Sequence, residues 1–308
     1  MKRQIIFLFL LITLLSCEDK SKKSINLSHH FEENETHFFE VTKMNYLDSS
    51  LKYLHPETLT ILKINEKKES KDSKNYTFLY GKTYIKSMGK DVEYEEHNKW
   101  LKTSYDKQEV VISYDLNNQH YELQNYLECQ DFVKELYYKA ITAEIDSAEM
   151  KNVSKIDNFI SSLINSKEKV LDIYFPEVAL FFKYLDKTYE IDTTYSINGF
   201  TETPFGKERI FGDAELILKK NKKLISISEK SKPNEEFLAS IIENEVDSMS
   251  KHFDIEEDDS FLVNAIYFDD FQYTYDLNNK KFREIFHLRS IFISNEQKFK
   301  QIKMELVN

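Results

Sequence analysis

The first seventeen residues divide this chain into a leader and the part that folds. Residues 1–4 are short and basic, and the run from Ile5 to Leu15 is apolar except for Thr13. A basic start followed by about 7–15 apolar residues is typical of a secretory signal peptide. The run is shorter than the ~20 apolar residues that a membrane-spanning helix needs. We therefore expect residues 1–16 to direct export and to lie outside the folded unit.

The end of the leader carries a more specific signal. Leu14-Leu15-Ser16-Cys17 resembles the lipobox of bacterial lipoproteins, with a small residue directly before the cysteine. The resemblance covers residues 1–17 only. It implies that Cys17 becomes the first mature residue and carries fatty acyl chains, such as palmitate, which anchor stably when several are present. The alternatives are an ordinary cleaved signal with an incidental cysteine, or an uncleaved anchor.

The segment after the cysteine predicts a tether. Residues 18–24 are short, polar and charged, so we expect residues 17–30 to be flexible. The acidic pair Glu18-Asp19 resembles an export signal for the outer surface, which points to the outer membrane. The expected partners are the membrane, through Cys17, and an envelope protein.

The charge of the chain excludes one class of partner. The formal net charge is −11, and loss of Lys2 and Arg3 with the leader makes it −13. Nucleic-acid binding depends on Lys and Arg side chains that neutralise phosphates, so this balance disfavours it. We interpret the charge as a source of solubility beside an anionic membrane. The hydrophobic content of 41% is enough for a real core.

Counts of a few residue types narrow the chemistry further. With Cys17 acylated, Cys129 has no partner for an intramolecular disulfide. We interpret Cys129 as a small buried residue, and the alternative of a nucleophile has no motif to support it. Five Gly and four Pro exclude Gly-rich phosphate loops and Pro-rich stalks. The 19 Tyr and 23 Phe are typical of half-buried strands.

Alternating patterns predict strands in both halves of the chain. Paired runs around short polar turns predict hairpins. The predicted single strand covers residues 58–64. The predicted hairpins cover residues 76–86, with a turn at Gly81-Lys82, and residues 109–123, 214–228 and 271–285. A short strand begins at Tyr189, another surrounds residues 261–263, and the charged run 66–74 is predicted as a loop.

Apolar spacing of three to four residues predicts helices. In the middle of the chain, one predicted helix contains residues 132–141, a second contains residues 156–164 and a third begins at Pro176. Others are predicted over 47–54, 91–105 and 233–253, with a last helix that Ser294 caps and that holds Phe299, Ile302 and Leu306.

One short sequence occurs twice. Tyr114-Asp115-Leu116-Asn117-Asn118 is repeated at 275–279, each time at a predicted hairpin turn. Either a duplicated ββαββ unit or coincidence explains the repeat. The predicted fold class is α+β, with antiparallel hairpins and packed helices. The predicted domains are residues 31–187 and 188–308, which form two halves or a single domain.

Two polar clusters are candidates for metal binding. The imidazoles of His29, His30 and His37 lie near Glu33, but no firm helix holds them on one face, so we interpret them as a solvated stretch. The acidic run 254–259, with Asp269-Asp270 as a further contributor, lacks the spacing of an EF-hand and is interpreted as a solvated loop. We therefore expect no metal and no cofactor.

No motif predicts a reaction. The sequence has no nucleophile elbow, zinc-protease helix, P-loop or dinucleotide fingerprint. The stretch from Gly199 to Gly212 is predicted as the longest loop and the best candidate for a functional surface. We hypothesise a non-enzymatic envelope lipoprotein that binds a protein or another ligand. The alternative is a lipid-anchored hydrolase acting on envelope or external polymers.

The lipobox predicts the outcome of a single substitution. Cys17→Ala should move the protein from the membrane fraction to the soluble fraction and remove the mass of the acyl chains, because it removes the acylated thiol. Fractionation and intact-mass measurement of both forms test this. An unmodified, soluble product from both would instead indicate an ordinary secreted protein.

Overall fold

A computed structural model describes residues 23–33, 35–47, 52–87, 105–144, 158, 160–161, 164–202, 209–234, 266–293 and 296–307. The leader, Cys17, the acidic run 254–259 and most of the helices predicted over 91–105 and 233–253 lie outside these residues. Among the described helices, none combines the length and apolarity needed to cross a bilayer.

Strands dominate the described chain. They are β1 (Ser24–Asn26), β2 (Thr36–Leu47), β3 (Lys52–Lys68), β4 (Ser73–Ser87), β5 (Glu109–Asp115), β6 (His120–Leu123), β7 (Thr188–Glu190), β8 (Thr193–Glu202), β9 (Arg209–Asn221), β10 (Leu224–Pro233), β11 (Ile266–Asp276), β12 (Lys281–Ile293) and β13 (Glu296–Val307). Between β6 and β7, the helices whose bounds are described are α1 (Tyr126–Glu144), α2 (Lys167–Tyr174) and α3 (Pro176–Phe182).

Eleven of the strands form one antiparallel sheet in the order β6-β5-β4-β3-β2-β13-β12-β11-β10-β9-β8. Each half of the chain is a meander of sequential strands. The first and last strands of these meanders, β2 and β13, pair with each other and join the halves into one sheet. The α+β prediction is therefore wrong, because long strands provide most of the described structure and the helices only cover part of one face.

The sheet buries one face, which we call the inner face. In β10 the side chains at Ile225, Ile227 and Glu229 are buried, whereas their neighbours along the strand are mostly exposed. β5 alternates in the same way. Successive side chains of a strand point to opposite faces, so the pattern places one row of each strand toward the core.

Helix α3 is the centre of that core. Pro176 stands in its first turn, where the missing N–H costs nothing. The Phe181 ring packs against Phe39 of β2, Phe78 of β4 and Phe282 of β12. Its neighbour Phe182 packs 5.2 Å from Tyr114 and 4.8 Å from Tyr121, measured between ring centroids. One short helix thus contacts strands from both meanders.

A buried ion pair fixes the start of the same helix. Glu177 is fully buried, and Lys43 Nζ of β2 lies 2.5 Å from its Oε1. The hydroxyl of Tyr80 donates to the other carboxylate oxygen at 3.2 Å. Burial lowers the pKa of Lys43, but the charge of Glu177 outweighs it and the pKa is raised. Lys43 therefore stays charged, and its contact with Glu177 orients α3 on the sheet.

The chain ahead of β2 crosses one end of the sheet. β1 pairs with β7, and the Leu27 N–H donates to the Lys187 carbonyl at 2.9 Å. The hydroxyl of Tyr275 donates to the Ser28 carbonyl at 2.8 Å. Residues 24–30, predicted as the end of the tether, are thus held to the fold by hydrogen bonds to distant parts of the chain.

Several local predictions are confirmed. The hairpins over 109–123, 214–228 and 271–285 form as β5–β6, β9–β10 and β11–β12. The predicted strand 58–64 lies within β3, residues 132–141 lie within α1, and a helix opens at Pro176. The predicted loop 66–74 is shorter than expected, because β3 ends at Lys68 and β4 begins at Ser73.

Other local predictions are wrong, and long-range pairing explains each one. β4 continues through Gly81, because β3 pairs with it on both sides of that residue, with a shift in register opposite Gly81-Lys82. The stretch from Gly199 to Gly212 is not a loop at its ends, since Gly199 and Gly212 are partners in the β8–β9 ladder. The helix predicted after Ser294 is strand β13, which lies between β12 and β2.

The repeated five-residue sequence forms the same turn twice. Asp115 Oδ1 accepts hydrogen bonds from the backbone N–H groups of Asn117 and Asn118 at 2.8 and 3.2 Å. Asp276 Oδ1 accepts the equivalent bonds at 2.9 and 3.3 Å. The residue after each turn has a φ of 51°. In the first copy of the predicted ββαββ unit, the strand β4 takes the place of the first hairpin, whereas the first hairpin of the second copy forms as β9–β10.

The central position of Phe181 predicts a large effect on stability. Phe181→Ala should lower the free energy of unfolding by about 3–5 kcal/mol, because it leaves a cavity between α3 and three strands. Phe38→Ala is the matched control, since that ring is 39% exposed, and should cost about 1 kcal/mol or less. Urea unfolding of both variants tests this. Equal losses would contradict the central role of α3.

Candidate functional site

A cavity of about 400 Å³ opens beside the end of α3, on the inner face of the sheet. Its apolar walls come from the helix, the residues after it and strands β8, β11 and β13. These side chains are Leu180, Phe182, Tyr184, Ile197, Phe271 and Ile302. The cavity exists because α3 ends at Phe182 while the inner face continues beyond it.

A lysine, a carboxylate and a tyrosine form a bonded group at the cavity. Lys183 Nζ lies 2.9 Å from Glu229 Oε1, and the Tyr184 hydroxyl donates to Glu229 Oε2 at 2.5 Å. Glu229 is 3% exposed. Burial and the Glu229 charge hold the pKa of Tyr184 well above its usual value, so the hydroxyl remains a donor. The Glu229 carboxylate is thus satisfied without water.

A second buried group lies on strands β11 and β12. Arg289 binds Asp269 through two nitrogens at 2.8 and 3.1 Å, and His287 Nε2 lies 2.7 Å from Asp269 Oδ1. Burial alone would raise the pKa of Asp269, but the Arg289 charge and the His287 hydrogen bond hold it well below its usual range. Burial and Arg289 lower the pKa of His287 although Asp269 opposes them.

Aromatic contacts connect the two groups. The Phe271 ring stacks on His287 with 4.4 Å between centroids. Lys183 Nζ lies 4.0 Å from the centroid of the same Phe271 ring, a distance typical of a cation–π contact. A line of cationic and aromatic side chains therefore follows the sheet wall of the cavity.

Lys187 differs from the other cations. Its Nζ donates to the Lys183 carbonyl at 2.7 Å, and no described carboxylate forms an ion pair with it. Burial, together with the nearby charge of Lys183, lowers the pKa of Lys187. Lys187 is thus the cation of the cavity that has the least compensation within the described chain.

The sequence pattern contained a signal for this site that motif reasoning missed. Glu229 continues the buried row of Ile225 and Ile227 on β10, and Asp269 begins the row of Phe271 and Tyr273 on β11. A charged side chain at an inward position of an otherwise apolar row indicates a buried polar site. No comparable signal marks Lys183 and Lys187, which follow a helix.

The structure corrects the interpretation of the histidine cluster. His29 and His37 are buried rather than solvated, at 2% and 4% exposure. The Phe282 N–H donates to His29 Nδ1, so His29 Nε2 carries the proton that faces His37 Nδ1 at 2.7 Å. His37 Nε2 then faces Glu35 Oε2 at 2.9 Å. The chain of contacts assigns each ring one donor and one acceptor nitrogen.

The Glu35 end of this series of side-chain contacts borders a second cavity of about 560 Å³. Lys281 Nζ lies 2.7 Å from Glu35 Oε1. Burial raises the pKa of Glu35, but the Glu32 N–H, Lys281 and His37 outweigh it and lower the pKa to about 2. Burial lowers the pKa of both histidines. In the described part of the chain, no group of His, Cys, Asp and Glu has the arrangement of a metal site.

The remaining candidates have structural surroundings. Cys129 is fully buried, as predicted, and burial raises the pKa of its thiol to about 12, which disfavours the nucleophilic thiolate. Asp269 and Asp270 do not converge: Asp269 is buried beside Arg289, whereas Asp270 accepts from Gln272 on the exposed side. Asp269 therefore does not join a solvated acidic loop.

Comparisons with known proteins add little. No protein-family model and no curated protein matches the chain. Among solved structures it is similar to lipovitellin, from a structure titled "Lipid-protein interactions in lipovitellin", with a TM-score of 0.39 and 7% identity. The match covers 91% of this chain but 26% of the lipovitellin chain. At that score the likeness carries no argument about function.

The buried histidines predict a pH-dependent stability. Their pKa values are lowered in the fold, so the unfolded chain binds more protons below its ordinary value near 6.5. The free energy of unfolding should therefore fall between pH 7 and pH 5, by up to about 1.4 kcal/mol per pH unit for each histidine. His37→Phe should flatten this slope. Urea unfolding at several pH values measures it.

A matched control separates this effect from others. His120 is exposed, so His120→Phe should leave the slope unchanged. His29 and His287 also have lowered pKa values, and they account for the slope that remains in His37→Phe. A slope in His37→Phe equal to that of the unmodified chain would contradict the assignment.

Proposed function

We propose that this chain is a lipoprotein of the cell envelope, anchored through Cys17, which binds a small ligand without catalysing a reaction. The observation that carries the proposal is the cavity between α3 and the inner face of β8 and β10–β13. Ligand sites are typically concave, largely apolar and supplied with a few placed polar groups. The apolar walls with Lys183, Lys187 and Glu229 have this composition.

The size of the cavity supports a small ligand. About 400 Å³ lies within the range of roughly 300–1,000 Å³ found for small-molecule sites. The described surface exposes few large apolar side chains, Phe38, Tyr84, Leu127, Leu224 and Val307. Protein interaction sites are larger apolar patches, so the ligand-binding form of the hypothesis has more support than the form with a protein partner.

The anchor part of the proposal rests on the sequence. Six residues separate Cys17 from Ser24, the first residue of β1. A fully extended chain spans about 3.5 Å per residue, so the fold would lie within roughly 25 Å of the bilayer. The acidic pair Glu18-Asp19 supports the outer membrane as its location. An anchored protein at this distance can exchange ligands with the membrane surface.

The alternative of an envelope hydrolase has less support. A general acid needs a carboxyl whose pKa is raised toward neutrality. The pKa of Asp269 is instead lowered by Arg289 and His287. Glu229 is occupied by Lys183 and Tyr184. Both carboxylates are satisfied by these contacts, which is the arrangement of a structural group rather than of a reacting one.

Binding of a neutral fluorescent probe tests the cavity. The chain from residue 17, carrying Cys17→Ala so that no detergent is needed, should bind N-phenyl-1-naphthylamine with increased fluorescence. Ala179→Trp should reduce the affinity at least about tenfold, because Ala179 lines the cavity and an indole would fill it. Ser226→Trp, on the exposed face of β10, is the matched control.

The two variants distinguish the outcomes. Lost binding in Ala179→Trp with unchanged binding in Ser226→Trp supports the cavity as the site. Equal binding in both variants, or no binding by the unmodified domain, would remove the support for a ligand-binding function. Circular dichroism of both variants checks that each is folded.

A further inference from the structure

The positive charges of the cavity exceed its negative ones. Four cationic side chains line the cavity, Lys183, Lys187, Arg289 and Lys300, against two carboxylates, Asp172 and Glu229. Of these carboxylates, Glu229 is the one that binds Lys183 and acts on the charge of Lys187. Glu229 binds Lys183 directly and reaches Lys187 only through space. This local excess stands in a chain whose net charge is −11. It is therefore a feature of the cavity and not of the overall composition.

The opposite wall adds cations rather than acids. Arg289 and Lys300 face the cavity from β12 and β13. Arg289 is neutralised by Asp269, and Lys300 lies close enough to lower the pKa of His287. The aromatic ring of Phe271 separates this wall from Lys183. One end of the cavity is therefore basic, and Lys187 is the cation there with the least compensation by negative charge in the described chain.

A partly buried cation that forms no ion pair with a carboxylate lowers the stability of the fold unless another group pairs with it. The lowered pKa of Lys187 reflects that cost. An anionic group of a ligand would provide the missing charge and accept hydrogen bonds from Nζ. Such charge-assisted hydrogen bonds are about twice as strong as neutral ones. Leu180, Phe182 and Ile197 offer apolar contacts for the rest of the same ligand.

We propose that the cavity binds a single-chain amphiphile, with its anionic head group on Lys187 and its apolar chain along α3 and β8. This inference rests on the proposed ligand-binding function and names its ligand class. The volume of about 400 Å³ favours one acyl chain over the two of a membrane phospholipid. The recognised group is an anion, either the carboxylate of a fatty acid or the phosphate of a monoalkyl ester.

The test compares two probes that differ only at the head group. cis-Parinaric acid and its methyl ester share one fluorescent chain, and only the acid carries an anion at neutral pH. The Cys17→Ala chain should bind the acid at least about tenfold more tightly than the ester, which corresponds to about 1.4 kcal/mol. Lys187→Gln should reduce acid affinity to the level of the ester and leave ester affinity unchanged.

Lys230→Gln is the matched control for the loss of one positive charge. Lys230 follows Glu229 on β10 but is exposed on the other face of the sheet, so both affinities should be unchanged. Unchanged ester binding by Lys187→Gln shows that the variant is folded and that the cavity is intact. The readout therefore separates loss of a charge contact from loss of structure.

Each outcome decides one level of the inference. Equal affinity for acid and ester, or acid binding that Lys187→Gln leaves unchanged, would overturn the anionic class and leave the ligand-binding function standing. No binding of either probe would overturn both. Displacement of the acid by dodecyl phosphate but not by lauric acid would assign the head group to a phosphate. The reverse result would assign it to a carboxylate.

Discussion

The pairing of β13 with β2 is the interaction on which the rest of the fold depends. Its register extends from Lys298 opposite Leu47 to Val307 opposite Phe38. Without it, two separate meanders would each expose a strand edge with unpaired N–H and C=O groups. With it, eleven strands share one inner face, broad enough for α3 to contact strands of both meanders. The paired residues lie about 250 positions apart in the sequence. The entropic cost of bringing them together is offset only when the core is complete.

The inner face then determines where a ligand site can lie. α3 is seven residues long and covers the centre of the sheet through Phe181 and Phe182. Beyond its end, the face of β10–β13 is lined partly by charged side chains, including Glu229 and Arg289. Groups of this kind stay buried only when they are paired. The cavity is therefore the place where the helical cover ends and the sheet becomes polar.

Three buried carboxylates are paired in the same way. Glu177, Glu229 and Asp269 are buried, and each binds a cation and a second hydrogen-bonding group. Two of these carboxylates, Glu177 and Glu229, use a tyrosine hydroxyl as the second donor. Such networks favour one arrangement of helix and sheet because every alternative leaves a charge unpaired. Lys187 stands outside this pattern, and for that reason it is the residue that a ligand would satisfy.

The sequence by itself determined features that depend on neighbours along the chain. The turns at Asp115 and Asp276, the hairpins around them and the helix start at Pro176 follow from local side-chain chemistry and fixed dihedral angles. The lipobox at Cys17 is likewise a local signal, and it remains a prediction. Only the tertiary structure decided that Glu296–Val307 forms a strand, that β4 continues through Gly81 and that Lys183, Glu229, Phe271 and Arg289 share a cavity. Lys183 contacts Glu229 and Phe271, which are 46 and 88 positions away in the sequence, and such contacts gain their free energy only when the whole sheet forms.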